Sequence, residues 1–308
     1  FLAACGESAH MPLPFPTPAQ HDLVVLTTPG PLTYISEENG IVSGLEHDLA
    51  ETFAQELGVA VKYIVVRPEE LAKRLDGDDY HIAAAWLSPL PDSPIKATPA
   101  IFQTRDILVQ REASLPLNKP EQLADKTVHA MAGSRQAANL QALAKTIPGL
   151  SVVEVRENDI LDLLESLGDG EVDYVAIDES LVDIANQFVP NLRTSLMLSE
   201  EQPILWLLGP RPNAELAARA SAFAERVQLD GTLARLEDRY FGHVRRLNQA
   251  DVVKFLGQIE TTLPKLRKFF QAAETISGID WRLIAAVAYH ESHWDANATS
   301  PTNVRGIM

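Results

Sequence analysis

The chain has a single cysteine, Cys5. A lone thiol excludes an intrachain disulfide and a zinc cluster built from cysteines. Basic residues are also in short supply. The 26 Lys and Arg stand against 42 Asp and Glu, a net charge of −16. That balance argues against nucleic-acid binding and against adhesion to anionic lipid through basic side chains. No apolar run approaches the roughly 18 residues of a membrane span. What remains is ordinary globular material, 46% apolar over 308 residues, enough for about two domains.

The position of the cysteine carries information. Leu2-Ala3-Ala4-Cys5-Gly6 reads like a bacterial lipobox, with Cys5 as the residue that would carry lipid. The alternative is a chance cysteine in a terminal tail. Residues 6–20 are polar and hold Pro12, Pro14, Pro16 and Pro18, which suits a tether over residues 1–20 rather than a core.

Beyond the tether, strand and helix patterns alternate. Leu23-Val24-Val25-Leu26 is an apolar strand, and Leu49, Phe53 and Leu57 mark a helix that Gly58 closes. Val59 to Val66 is a strand, Pro68 to Leu75 a helix, and His81 to Trp86 a buried strand. The same alternation resumes after Lys119, through Lys126 to Met131, a helix with Leu140, Leu143 and Ile147, and strands at Val152 to Val155 and Val172 to Asp178. Pro203 to Leu208 returns as a strand. Alternation of this kind predicts parallel sheets with right-handed crossovers.

Three stretches carry a resemblance. Gly44-Leu45-Glu46-x-Asp48-Leu49-Ala50, Leu123-Ala124-Asp125-Lys126-x-Val128 with Gly133-Ser134, and Gly170-x-Val172-Asp173-Tyr174-x-Ala176-x-Asp178 resemble, in order and spacing, the solute-binding proteins of the polar amino-acid class. The resemblance implies an α/β, two-lobed periplasmic-binding-protein type 2 fold over residues 21–243, with lobe 1 at about 21–112 and 200–243 and lobe 2 at about 113–199. Its cleft would meet strand ends and helix starts. Tyr34, Trp86, Ser88, Ser134, Arg135 and Asp178 stand there as candidates. Gly133-Ser134 opens a helix whose backbone N–H groups suit a carboxylate, and Asp178 suits an ammonium group. Blander roles stand beside these: Ser134 and Asp178 as helix caps, Trp86 as core. One departure matters. The class places a ligand-binding arginine after its fourth strand, where this chain has Leu87-Ser88-Pro89-Leu90-Pro91-Asp92. Arg135 is the available substitute. The cleft is thus expected to take a wall peptide, an amino acid, or nothing.

The last helix is predicted from Asp280, a good N-cap, through Trp294. It is apolar nearly all round, and Ile284, Val287, Ala288 and Glu291 fall on one stripe. A buried glutamate there would be hard to ionise and could hold a proton for a leaving group. The alternative is a glutamate at a helix end turned to solvent. Glu291-Ser292-x-Trp294, Ala298-x-Ser300 and Gly306-Ile307-Met308 resemble the signature of lytic transglycosylases with a goose-type lysozyme-like domain, with Asn297 near the family's usual proline. Leu236 to His243 resembles the junction that joins a solute-binding-like module to such a domain in membrane-bound members.

The resemblance implies that residues 244–308 begin an incomplete all-α lysozyme-like domain. It implies Glu291 as acid and base, Ser292 as an orienting residue, and peptidoglycan glycan strands as substrate. The reaction would close a 1,6-anhydro ring on muramic acid and consume no water. No cofactor is implied. His290 and His293 lie on different faces without a third ligand, so no metal site is expected. The expected location is periplasmic, on the outer membrane through a lipid anchor only. Because the chain stops at Met308, where the rest of that domain would begin, these 308 residues alone are expected to show little or no activity. Two other readings stay open: a non-enzymatic solute-binding protein with an accessory helical tail, and a wall anchor that binds glycan without cutting it.

Overall fold

The computed structural model describes residues 13–37, 40–90, 93–156, 159–189, 191–242 and 249–295. Cys5, the Pro91-Asp92 pair and the part of the signature after Asp295 lie outside them. The chain divides into two compact units, with the boundary between Val244 and Arg245.

The first unit opens with β1 (Leu23–Thr27), the short hairpin β2 (Ile35–Ser36) and β3 (Val42–Ser43), then α1 (Leu45–Leu57) and β4 (Val61–Val65). Next come α2 (Pro68–Leu75), β5 (Ile82–Leu87) and β6 (Phe102–Thr104). β1 is an inner strand, parallel to both β4 and β5. It is covered on both faces, which explains why it reads as an unbroken apolar run. Gly58 ends α1 in the left-handed region at φ 72°, as its position in the sequence predicts.

The chain then passes into a second sheet through one residue, Arg105. β7 (Asp106–Arg111) is followed by β8 (Thr127–Met131), α3 (Arg135–Ala144), β9 (Ser151–Val155), α4 (Ile160–Asp169), β10 (Val175–Asp178), α5 (Val182–Phe188) and β11 (Leu192–Met197). It returns through β12 (Gln202–Leu208), α6 (Ala214–Leu229) and α7 (Thr232–Glu237). The sheet orders are β4-β1-β5-β12-β6 and β11-β7-β10-β8-β9.

Two expectations change here. The first crossover falls at Arg105 rather than near residue 112, because β7 pairs with β10 and β11 of the second sheet. The sheets are also mixed rather than parallel. β12 runs antiparallel to β5 and β6, and β7 antiparallel to β10 and β11. Each of these pairings involves a strand that borders a crossover, where the chain runs straight from one sheet into the other without the helix that a parallel return requires.

Trp206, Phe53 and Phe223 are fully buried and pack ring on ring in the first lobe, with Trp206 stacked on Phe223 at 5.4 Å. In the second lobe β7 is buried on both faces. Ile107 and Val109 face Leu163, Leu164 and Ile177, while Leu108 joins Leu123, Val128 and Leu140.

The second unit holds α8 (Gln249–Thr261), α9 (Leu263–Ser277) and α10 (Trp281–Ser292). Its core is small: Phe270, Ile284, Ala285, Ala288, Tyr289 and Trp294, flanked by Phe255, Leu266 and Ala273.

Candidate functional site

Two places in the structure carry candidate chemistry, the end of α10 and the cleft between the lobes of the first unit. In α10 the Asp280 side chain accepts the Arg282 backbone N–H at 2.8 Å, so the predicted cap forms. The Arg282 side chain also bonds Asp280 and holds its carboxyl down to about 2. The helix stops at Ser292, short of the expected Trp294. His293 and Trp294 both turn left-handed, at φ 52° and 58°. This reversal folds Trp294 back onto the helix, where its indole N–H donates to the Ala285 carbonyl at 2.8 Å and its ring meets Tyr289.

The buried stripe is Ile284, Ala285, Ala288, Tyr289 and Ser292. Glu291 is not on it. Its side chain is 60% exposed, with His290 Nδ1 at 3.8 Å from its Oε1. The expectation of a carboxylate on the core face is therefore corrected, and Val287 shares the exposed flank. A helix that is apolar nearly all round offers two candidate stripes, and periodicity alone does not choose between them. The packing of α9 and Trp294 chooses. Ser292 is buried instead, and its hydroxyl donates to the Ala288 carbonyl at 2.9 Å.

In the cleft, four of the six expected residues come together. Trp86 and Ser88 reach from the first lobe, Arg135 and Asp178 from the second. Asp178, 3% exposed, accepts from Thr104 Oγ1 at 2.6 Å and the Ser180 N–H at 2.9 Å on one oxygen. The other oxygen accepts from the Trp86 indole at 2.9 Å and from Arg135. Asp178 thus caps the turn after β10 and faces the cleft at once. Arg135 donates through Nε and Nη2 to Asp106 Oδ1 at 3.0 and 2.9 Å, and through Nη1 to Ser88 Oγ at 3.1 Å. Ser134 is the N-cap of α3, accepting from the Ala137 N–H at 3.1 Å. Tyr34 makes its ring contacts elsewhere, on His47 and Tyr63.

Two buried acids beside the cleft went unassigned in the sequence. Asp106 is fully buried and, besides Arg135, accepts from Gln136 at 2.7 Å and from Asn139. An acid heading the apolar run Ile107-Leu108-Val109 was the available signal. Glu46, 1% exposed in the first turn of α1, accepts the Trp86 backbone N–H at 2.5 Å. Burial pushes its carboxyl up to about 8, against the lowering pull of that N–H and, more weakly, of the Trp206 indole. Trp86 itself has φ 54° inside a strand. This costs energy in an aromatic residue, and the Glu46 bond and the cross-lobe bond to Asp178 hold it there.

A third cluster lies where the chain leaves the first unit. Tyr240 donates to Asp48 at 2.8 Å and accepts the Gly44 N–H at 3.0 Å, while Arg239 bonds Asp48 at 2.9 Å. Burial opposes ionisation of Asp48, but hydrogen bonds from His47 and Tyr240 and the Arg239 charge outweigh it and hold the carboxyl low. The exit of the unit is thereby fastened to the first turn of α1, the same turn that supports Trp86.

Residues 268–308 match the transglycosylase SLT domain family. The chain is similar to membrane-bound lytic murein transglycosylase F of Nitrosospira multiformis, 39% identical over all of this chain and 64% of that protein. It is similar also to the protein of the same name from Methylobacillus flagellatus, 36% identical over all of this chain and 66% of that one. It thus spans slightly less than two thirds of these relatives. Among solved structures it resembles an ancestral arginine-binding protein bound to arginine, with TM-score 0.62 and 20% identity over 71% of this chain and 98% of the other. Residues 23–243, well over half of the chain, match the bacterial extracellular solute-binding proteins, family 3, and with the two-lobed fold and its two crossovers on the same residues, the chain belongs to that family.

Proposed function

We propose that the protein is a peptidoglycan lytic transglycosylase whose solute-binding-like module regulates a catalytic domain that begins after residue 243. The observation that carries this reading is the succession of the two family matches, solute-binding over 23–243 and transglycosylase over 268–308. Glu291 at the end of α10 is the acid and base. It protonates the glycosidic oxygen of the β-1,4 bond between N-acetylmuramic acid and N-acetylglucosamine. As a carboxylate it then takes the proton of the muramic C6 hydroxyl, which attacks C1 and closes the 1,6-anhydro ring. Hydrolytic glycosidases divide these tasks between two carboxylates. Here an internal hydroxyl replaces water, so one carboxylate serves both steps.

The exposed position of Glu291 suits a group that must meet a long polymer from outside. A glycan strand laid over the helix end supplies the desolvation that favours the protonated acid. Ser292, bonded back to Ala288, orients the helix end. Lipid on Cys5 would hold the protein to the outer membrane from the periplasmic side, and the module's cleft would take a wall peptide or an amino acid. Two of its structural neighbours hold arginine and histidine, which supports that last point. Glu291→Gln in the full-length protein, assayed on purified peptidoglycan, is expected to abolish anhydro-muropeptide release. Undiminished product would remove Glu291 from the role. A solute-binding protein without enzymatic activity has in its favour only the fold of residues 23–243, and leaves the match at residues 268–308 without a purpose.

A further inference from the structure

The bonds across the cleft share one centre. Arg135 belongs to the second lobe, yet its guanidinium lies between two buried acids of that lobe, Asp106 and Asp178, and reaches Ser88 of the first. Both Asp178 oxygens are engaged by protein donors, two on each. Both Asp106 oxygens are engaged as well, by Arg135, Gln136 and Asn139. An incoming ammonium or guanidinium group therefore finds both oxygens of Asp178 doubly engaged, and on the fully buried Asp106 only the second lone pair of the oxygen that holds Asn139. Nor can Arg135 serve as the clamp for a ligand carboxylate that the sequence suggested, because its nitrogens already serve Asp106, Asp178 and Ser88.

The backbones close in as well. Gly133, just before Ser134, lies so near α2 of the first lobe that an added Cβ would stand 2.5 Å from the Glu69 Cα. Only a glycine permits that approach at φ 72°.

We infer that Arg135 is the resident occupant of the cleft's cation subsite. Its side chain does from within the chain what a solute's cationic group would do from outside: it neutralises Asp106 and Asp178 and ties the lobes together through Ser88. The solute class that competes is small and cationic, guanidinium or ammonium, and it gains entry only by displacing Arg135. An arginine tethered one bond series away has a high local concentration and no association cost, so a free cation at millimolar concentration loses that contest. The inference narrows the cleft reading proposed above, since an amino acid or a wall peptide places a cationic group there only by displacing Arg135, and it stands independently of the transglycosylase reading.

The test is methylguanidinium chloride titrated into wild type, Arg135→Ala and the Arg135→Ala/Asp178→Asn double variant of the 308-residue chain, read by thermal melting. Arg135→Ala is expected to show a saturable rise in Tm that the double variant lacks. Wild type is expected to show none over the same range, or a midpoint at least tenfold higher. Saturation of wild type at the same concentrations as Arg135→Ala would overturn the inference, as would a folded Arg135→Ala that does not respond. If Arg135→Ala is recovered unfolded, its refolding yield decides. Dependence of the yield on methylguanidinium supports a vacated cation subsite, and indifference to it refutes one. Wild-type binding, measured by calorimetry, tests the same claim without any variant.

Discussion

Replacing Glu46 by glutamine removes a titrating group from the interior beneath Trp86. Its carboxyl is raised from 4.5 to about 8, and burial is the cause. The sign follows from proton counting. Below the unfolded value the group is protonated in both states, and its stabilising contribution is fully present. Above it the unfolded chain ionises while the folded chain keeps its proton, so stability falls as pH rises until the folded group ionises too. The slope is about 1.4 kcal/mol per pH unit, and the loss between about pH 5 and about pH 7 is about 2–3 kcal/mol. Glutamine has no such dependence. It presents one amide nitrogen where the carboxyl presents oxygen, so it carries a constant offset of about 1 kcal/mol for a weakened bond. The informative quantity is the difference between wild type and Glu46→Gln. Urea unfolding followed by tryptophan fluorescence is suitable, because Trp86 and Trp206 both lie beside Glu46. Wild type should lose about 2–3 kcal/mol relative to the variant over that interval. Infrared spectra near neutral pH should show a protonated carboxyl band that the variant lacks. Parallel pH curves for the two proteins would refute the argument, whatever their absolute stabilities.

Other substitutions probe the remaining clusters. Tyr240→Phe removes the hydroxyl shared by Gly44 and Asp48; it should cost about 1–2 kcal/mol in urea unfolding, and Asp48 should titrate higher by NMR. Gly133→Ala should cost more than about 2 kcal/mol or splay the lobes, since its Cβ would meet the Glu69 backbone; an unchanged Tm together with an unchanged radius of gyration from small-angle scattering would contradict that. Trp294→Phe takes away the indole bond to Ala285 and should lower the stability of the helical unit by about 1 kcal/mol, seen as faster amide exchange in Trp281–Ser292.

Much was legible where the signal is local. The Asp280 cap, the Gly58 stop, the Pro68 helix start and the apolar run of β1 each depend on a few neighbouring residues, and each stands in the structure where its sequence places it. The order of strand and helix, with the three spaced motifs, was enough for two lobes. The strands at the crossover were missed. Phe102–Thr104 and Asp106–Arg111 are short and separated by one residue, and no turn signal marks the passage from one sheet to the other. A crossover of this kind needs no Gly or Pro, only an extended chain that changes partners.

Local sequence patterns were enough for most of the elements, and they supplied the residue types available to the cleft and to the end of the last helix. The tertiary structure decided which of them meet and what they are free to do. Asp106, Trp86, Arg135 and Asp178 are bonded across separations of 29 to 92 residues, and no local pattern carries that information. Arg135 was legible as a cation near a cleft, but not as one already held by two buried acids. Glu291 was legible as a catalytic type at a helix end, yet its face depended on the left-handed turn at His293 and Trp294 and on the helix packed beside it. Periodicity records which side chains share a face of a helix. Only packing against a second element establishes which face is covered and which is left exposed.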